Sequence, residues 1–318
     1  MRNLLMSACV TMSCCGQAIA APSAGLPPDC DRACLYAFVD KYLEALVRHD
    51  PARLPWSKGA RFTENNVLLQ IGDGLWGTAS GFGDYRLKFA DPDNGQVGFF
   101  GVVKETSASS AFAVRMKIEA HRISELETMV FRLADAGSTG AQRFFTEPQL
   151  VDKPILLDNV PESQRRPRER MISIADGYFD TLQLNDGTLF TQFDENCNRI
   201  ENGLQTTNNP AVASRPIWRL GCEAQFKLGN YRYDDRLRAR RFPLVDEERG
   251  LVLAAAFIDH SGRLGTYQLT DGTVVESPWR RPHSLCMMEL FKIVDGKIRQ
   301  IEAVLFSVPY NMPSPWEH

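Results

Sequence analysis

The segment Lys117-Ile-Glu-Ala-His-Arg-Ile-Ser-Glu-Leu-Glu-Thr-Met-Val-Phe131 aligns without a gap onto Lys292-Ile-Val-Asp-Gly-Lys-Ile-Arg-Gln-Ile-Glu-Ala-Val-Leu-Phe306, with five of the fifteen positions identical. A second match lies upstream at one constant offset, where Leu35, Phe38, Tyr42, Leu46 and Asp50 correspond to Met171, Ile174, Tyr178, Leu182 and Asp186. Both sets follow the spacing of an amphipathic helix with one apolar stripe. A Glu-Asn pair follows each helix, in Phe62-Thr-Glu-Asn-Asn66 and in Arg199-Ile-Glu-Asn-Gly203. Three matches in the same order make the 318 residues two copies of one domain, each of roughly 130 to 150 residues, which fits the usual size of a domain.

Outward from these matches, the pattern divides the chain into a signal segment (1–20), a first domain (31–133), a linker (134–164) and a second domain (165–318). Arg2, the short apolar run to Cys15 and Ala18-Ile-Ala20 have the layout of a secretory signal cleaved before Ala21, and the run is too short for a membrane span. The expected location is therefore the periplasm or the cell exterior. Cleavage leaves Cys30, Cys34, Cys197, Cys222 and Cys286, an odd number, so at least one stays out of an internal pair. Cys30 and Cys34 can bridge if Cys30 lies just outside the helix, and Cys286 sits in an apolar strand pattern as a core residue.

Each copy reads as helices first and sequential strands after, which predicts an α+β domain with an antiparallel sheet and its helices on one face. In copy one the spacing predicts a helix over 31–48, an extended stretch over 61–70, a short helix ending near Asp91, and strands over 97–103, 111–119 and 122–133. In copy two it predicts a helix over 166–184 and strands over 236–245, 251–259, 283–294 and 297–308, with a further strand around 263–269. The proline-rich tail Pro309 to Trp316 cannot extend the ladder and is expected to fold back as a cap.

The helix with Tyr42 or Tyr178, the Glu-Asn strand and the closing Lys-Ile hairpin resemble the nuclear transport factor 2-like superfamily, in its SnoaL-like and ketosteroid-isomerase-like branches. The resemblance implies two cone-shaped domains, each a curved antiparallel sheet wrapped around helices and enclosing a pocket. It also implies lyase, dehydratase or isomerase chemistry that needs no metal or cofactor, or else simple ligand binding, since this fold hosts both.

The residues are compatible with that. No phosphate-binding loop, dinucleotide fingerprint, His-Glu-x-x-His or Gly-x-Ser-x-Gly is present. The net charge of −3 becomes −4 without Arg2, and the two arginine runs, 165–170 and 238–241, have Glu and Asp residues nearby that make them solvated faces, which argues against a nucleic-acid partner. Acid–base side chains in an apolar pocket remain. Glu302 lies between Ile301 and Ala303 and is expected to meet an apolar environment that raises its pKa. Its copy-one equivalent is Glu127, beside Glu125. His283 and Glu289 share a strand face, and a hairpin turning at Asp295-Gly296 (index sum 295 + 296 = 591) sets Glu289 opposite Glu302. His283 then falls near Val308, roughly 20 Å along the strand, acting from the far end of the pocket.

Tyr178 is a candidate donor to an oxyanion, Arg199 and Glu201 can polarise a substrate oxygen if their face lines the pocket, and Trp76 and Tyr85 are candidate liners in copy one. Asp259-His260 ends a strand with its side chains on opposite faces, and is expected in a turn role. The lead expectation is an exported, cofactor-independent lyase, dehydratase or isomerase. It would act on a hydrophobic cyclic or aromatic small molecule through copy two. The alternative is a non-catalytic periplasmic binding or accessory protein with a hydrophobic ligand in both copies. The sequence carries no signal for oligomeric state.

Overall fold

The computed structural model describes residues 29–106, 108–133 and 151–317. The signal segment and residues 134–150 of the linker lie outside the described residues. Copy one comprises α1 (Arg32–Val47), β1 (Trp56–Glu64), β2 (Val67–Leu69), β3 (Ala79–Asp91), β4 (Gln96–Glu105), β5 (Ala108–Glu119) and β6 (Arg122–Phe131). The short helix α2 (Pro154–Leu157) precedes copy two. Copy two opens with α3 (Arg168–Leu184), β7 (Phe193–Glu201), β8 (Leu204–Gln205) and α4 (Cys222–Lys227). It continues with β9 (Arg236–Asp246), β10 (Leu251–His260), β11 (Thr266–Gln268), β12 (Val274–Glu276), β13 (His283–Val294) and β14 (Lys297–Val308).

Each copy forms a six-stranded sheet of the same order, β2-β1-β6-β5-β4-β3 and β8-β7-β14-β13-β10-β9. The sheets are antiparallel except that β1 runs parallel to β6 and β7 parallel to β14, because the chain crosses from the first strand to the last through the rest of the domain. The repeated Glu-Asn pair has a structural cause. Asn65 and Asn202 adopt positive φ at the hairpin turn, where an asparagine is better tolerated than most residues. Their side-chain amides then pair with the backbone of Val130 (3.1 and 2.8 Å) and Leu305 (2.8 and 2.9 Å), continuing the ladder past the end of the first strand.

Three expectations need correction. Residues 79–91 are the edge strand β3 rather than a short helix. Register irregularities between Ala79 and Gly81 and between Phe82 and Arg86 break the first half of the strand, whereas Asp84 to Phe89 alternates polar and buried apolar residues as a strand does. The final hairpin carries a bulge at Arg299, so that Ile293 pairs with Ile298 but Lys292 with Gln300. From there on Glu289 pairs with Ala303 and Glu302 with Leu290. A one-residue slip reverses the face of every later side chain, so Glu289 and Glu302 point away from each other. Copy one has the same bulge at Ser124. Asp259 and His260 both lie within β10 rather than in a turn.

One face of each sheet is covered by its own long helix, giving the cores around Tyr42, Phe99 and Phe112 and around Tyr178, Phe179 and Phe291. The other faces pack on each other through Leu87, Phe89 and Phe100 of copy one and Leu253, Met288 and Leu290 of copy two. Contacts across this layer are reciprocal. Arg32 at the start of α1 grips Asp246 at the end of β9 (2.5 and 2.9 Å), and Arg168 at the start of α3 grips Asp91 at the end of β3 (2.8 and 2.7 Å). Glu127 of β6 accepts from Arg241 of β9 (2.6 Å), and Glu302 of β14 accepts from Tyr85 of β3 (2.6 Å). The two copies therefore face each other as a pseudo-dimer within one chain.

The tail folds back as a cap. Trp316 donates to Thr63 Oγ1 (3.2 Å), and the guanidinium groups of Arg61 and Arg115 lie 4.7 Å from its ring centroid. Cys30–Cys34 and Cys197–Cys222 are disulfides, and Cys286 is free and buried. Among the described residues no helix is long and apolar enough to cross a membrane.

Candidate functional site

A cavity of about 600 Å³ opens in copy two. Its floor is the α3-facing side of β7, β14, β13 and β10. Its rim comes from two segments much longer than their copy-one counterparts: 206–235 against 70–78, and 261–282 against 106–107. The first rim segment is tied to β7 by the Cys197–Cys222 disulfide, and the second carries the β11–β12 hairpin.

The floor carries Glu289 from β13, Arg199 and Glu201 from β7 and Tyr178 from α3. Glu289 is 3% exposed, and its Oε2 has no hydrogen-bond partner. Burial away from water pushes its pKa up to about 8, with Glu201 adding to the rise while Arg199 and the Tyr178 hydroxyl oppose it. The carboxyl is therefore held mostly in its protonated form at neutral pH and can give up a proton to a substrate oxygen. Burial likewise holds the Tyr178 phenol well above its usual range, so it stays a donor. Arg199 is enclosed by partners: Glu201 at 2.9 Å, Gln225 at 2.8 Å, Thr206 at 3.1 Å and the Tyr231 hydroxyl. It fixes the floor as a rigid polar network.

The wall toward the rim holds a second buried pair, His260 Nε2 and Asp234 Oδ1 at 2.8 Å. With Nε2 held by the carboxylate, His260 Nδ1 is buried without a partner. Desolvation raises the pKa of Asp234, and the contact with His260 works against that. His260 stacks flat on His283, its cross-strand neighbour, with ring centroids 4.5 Å apart and 6° between planes, and Trp279 packs against both.

Of the residues expected to form the site, Tyr178, Glu201 and Glu289 line the cavity. Glu302 does not. The Arg299 bulge turns it to the layer between the copies, where it accepts from Tyr85 (2.6 Å) and Lys153 (3.0 Å) and is fully buried. Its pKa is indeed raised by burial, as expected, but in a structural position. His283 is not a lining residue either. It lies behind His260, with Nδ1 against the Arg281 carbonyl (3.0 Å), and burial lowers its pKa.

Tyr85 belongs to the layer between the copies and Trp76 to the copy-one core against Tyr42. Glu127 is held between Arg115 (2.9 Å) and Arg241 (2.6 Å), whose charges outweigh burial and lower its pKa. Sequence reading gave His260 a turn role and missed Asp234 and the rim aromatics Tyr231, Tyr233 and Trp279. The one available signal was the run Tyr231-Arg-Tyr-Asp234 in an insertion that copy one lacks.

Copy one keeps half of this floor, with Tyr42 where Tyr178 stands and Glu64 where Glu201 stands, but lacks the other half. By the same strand pairing, Val114 stands where Glu289 does and Phe62 where Arg199 does. Tyr42, Trp76, Phe99 and Phe112 fill the space beneath α1.

The chain is similar over 31% of its length, and 87% of the other, to a de novo designed protein with a curved β-sheet, at 15% identity and a TM-score of 0.27. It is similar over 30% of its length to 94% of a protein from Sphaerobacter thermophilus, at 13% identity and a TM-score of 0.25. No curated protein matches it. A family model described as a domain of unknown function (DUF8021) matches it twice, over residues 29–130 and 164–305. The chain belongs to that family, as a tandem pair of its domains.

Proposed function

We propose that copy two is an acid–base site for a cyclic or aromatic small molecule, working as a cofactor-independent lyase, dehydratase or isomerase. The observation that carries this reading is Glu289: a buried carboxyl on the cavity floor, with one oxygen unpartnered and a pKa near neutrality. A group with such a pKa can both give and take a proton at working pH, which is the requirement for moving a double bond or eliminating water. Tyr178 stands beside it as a donor for a developing oxyanion. The aromatic lining from Tyr231, Tyr233, Tyr267 and Trp279 supports a planar or cyclic ligand.

We further infer that each copy is a nuclear transport factor 2-like cone, a reading supported by the helix laid on one sheet face and the identical strand order in both copies. Export to an oxidising compartment is supported by the two disulfides. The alternative of a binding protein with a ligand in both copies has less support, because the copy-one interior is filled by its own side chains.

The test is solvent deuterium uptake at carbon, monitored by mass spectrometry across a panel of cyclic and aryl ketones. The expected result is uptake by the wild-type protein that falls roughly 100-fold or more in Glu289→Gln, the usual worth of a positioned acid or base. Ligands that bind the folded wild type without any uptake would move the protein to the binding class.

A further inference from the structure

We propose that the copy-two cavity selects a cationic ligand, a ring compound bearing a protonated amine, over its neutral or anionic analogues. This names the ligand class of the site described above and rests on that cavity being the working site. The lining carries five carboxyl groups, Glu201, Asp234, Asp271, Glu276 and Glu289, against two arginines, Arg199 and Arg215. Arg199 is already matched by Glu201 at 2.9 Å, so its charge is offset within the floor itself. An incoming carboxylate would meet no unmatched cation on the floor, whereas an incoming ammonium would meet Glu289, a neutral carboxyl that can ionise as the cation binds.

The floor also presents an acceptor that nothing in the chain satisfies. Glu289 Oε2 is buried, on the cavity wall and without a hydrogen-bond partner. A buried oxygen left unpaired has lost its water without gaining a partner, a loss that a ligand N–H can recover. The surrounding rings supply the second half of the recognition. Tyr231, Tyr233 and Tyr267 follow one another edge to face at 6.1 and 6.4 Å, and Trp279 stands beside His260 across the wall. Aromatic faces combined with carboxylates attract organic cations and not anions.

The groups facing Glu289 are Tyr178 from α3 and Arg199 and Glu201 from β7. Its neighbours across β10 and β14 are Ala254 and Ala303, which carry no charge. A cation docked against this carboxyl favours its ionised form, so the proton on Glu289 leaves to solvent as the ammonium binds. Binding at neutral pH is therefore coupled to release of up to one proton.

The experiment is titration calorimetry at pH 7 with tryptamine, tryptophol and indoleacetate, one ring system carrying a cation, a neutral hydroxyl and an anion. Each titration is run in two buffers of different ionisation enthalpy. The expected result is tryptamine binding at least tenfold tighter than either analogue, with proton release that disappears in Glu289→Gln. Indoleacetate or tryptophol binding as tightly as tryptamine overturns the proposal, and so does failure of all three to bind up to millimolar concentration. Equilibrium selectivity is read apart from turnover, so deuterium uptake from neutral ketones without amine preference would remove this inference alone.

Discussion

Glu289 and Glu302 lie one register position apart on paired strands, and that single step puts one in the ligand cavity and the other in the seam between the two copies. Both are buried carboxyls with raised pKa, so the local titration environment alone does not separate them. What separates them is partners. Glu302 is hydrogen-bonded at both oxygens by Tyr85 and Lys153, whereas Glu289 leaves Oε2 open toward the cavity.

The first prediction concerns stability against pH. The folded-state pKa of Glu289, about 8, lies above the ordinary 4.5, so the native protein holds this proton more tightly than the unfolded chain. Stability from this group is fully present below about pH 4.5 and is lost as pH rises through about 8. At about 1.4 kcal/mol per pH unit the ceiling is about 5 kcal/mol. Glu289→Gln, which stays neutral, should match the wild type in urea unfolding at pH 5 and exceed it at pH 9. Parallel curves at both pH values would show that Glu289 ionises freely in the fold.

The second prediction separates seam from site. Glu302→Gln removes the charge that Lys153 answers and leaves that lysine, only 18% exposed, without its acid, which should cost about 1–3 kcal/mol of stability. Tyr85→Phe should cost less, and the double variant less than the sum, because both act on one carboxyl. Ligand affinity in the copy-two cavity should stay within twofold of wild type in all three. A large loss of affinity in folded Glu302→Gln would mean that the seam and the cavity are coupled.

The duplication was readable because both copies must solve the same packing problem twice. The apolar stripe of each helix and the closing hairpin kept their spacing, and Glu127 and Glu302 reach equivalent seam positions as a result. The bulge at Arg299 was not readable, since a turn such as Asp295-Gly296 fixes the start of a register but not a residue inserted four positions later. Strand β3 was hidden only at its start, where Gly81 and Gly83 and two register shifts interrupt it; the alternation from Asp84 to Phe89, with Tyr85, Leu87 and Phe89 facing the seam, was legible and was passed over. Three of the five expected site residues, Tyr178, Glu201 and Glu289, do share the cavity. The pair Asp234 and His260 was missed because it is assembled between an insertion and a strand end, and no spacing rule connects the two.

The last prediction concerns the rim. The Cys197–Cys222 disulfide joins β7 to α4 across 25 residues of sequence. A loop of that size implies about 3 kcal/mol in a chain-entropy account. The segment it encloses contributes Trp218 and Arg215 to the cavity, and Gln225 just beyond it holds Arg199. Opening the bond therefore frees the rim and loosens the partner that orients the floor arginine. The seam between the copies is untouched by it, whereas the α3 core contains both cysteines and Phe226 of α4 and is loosened at that edge. Replacing both cysteines by serine should raise amide exchange selectively over residues 206–228 and weaken cavity ligands roughly tenfold, with a smaller effect on exchange in β13 and β14. Uniform acceleration across copy two would instead make the disulfide a determinant of the whole domain, and the rim would no longer be a separable wall of the site.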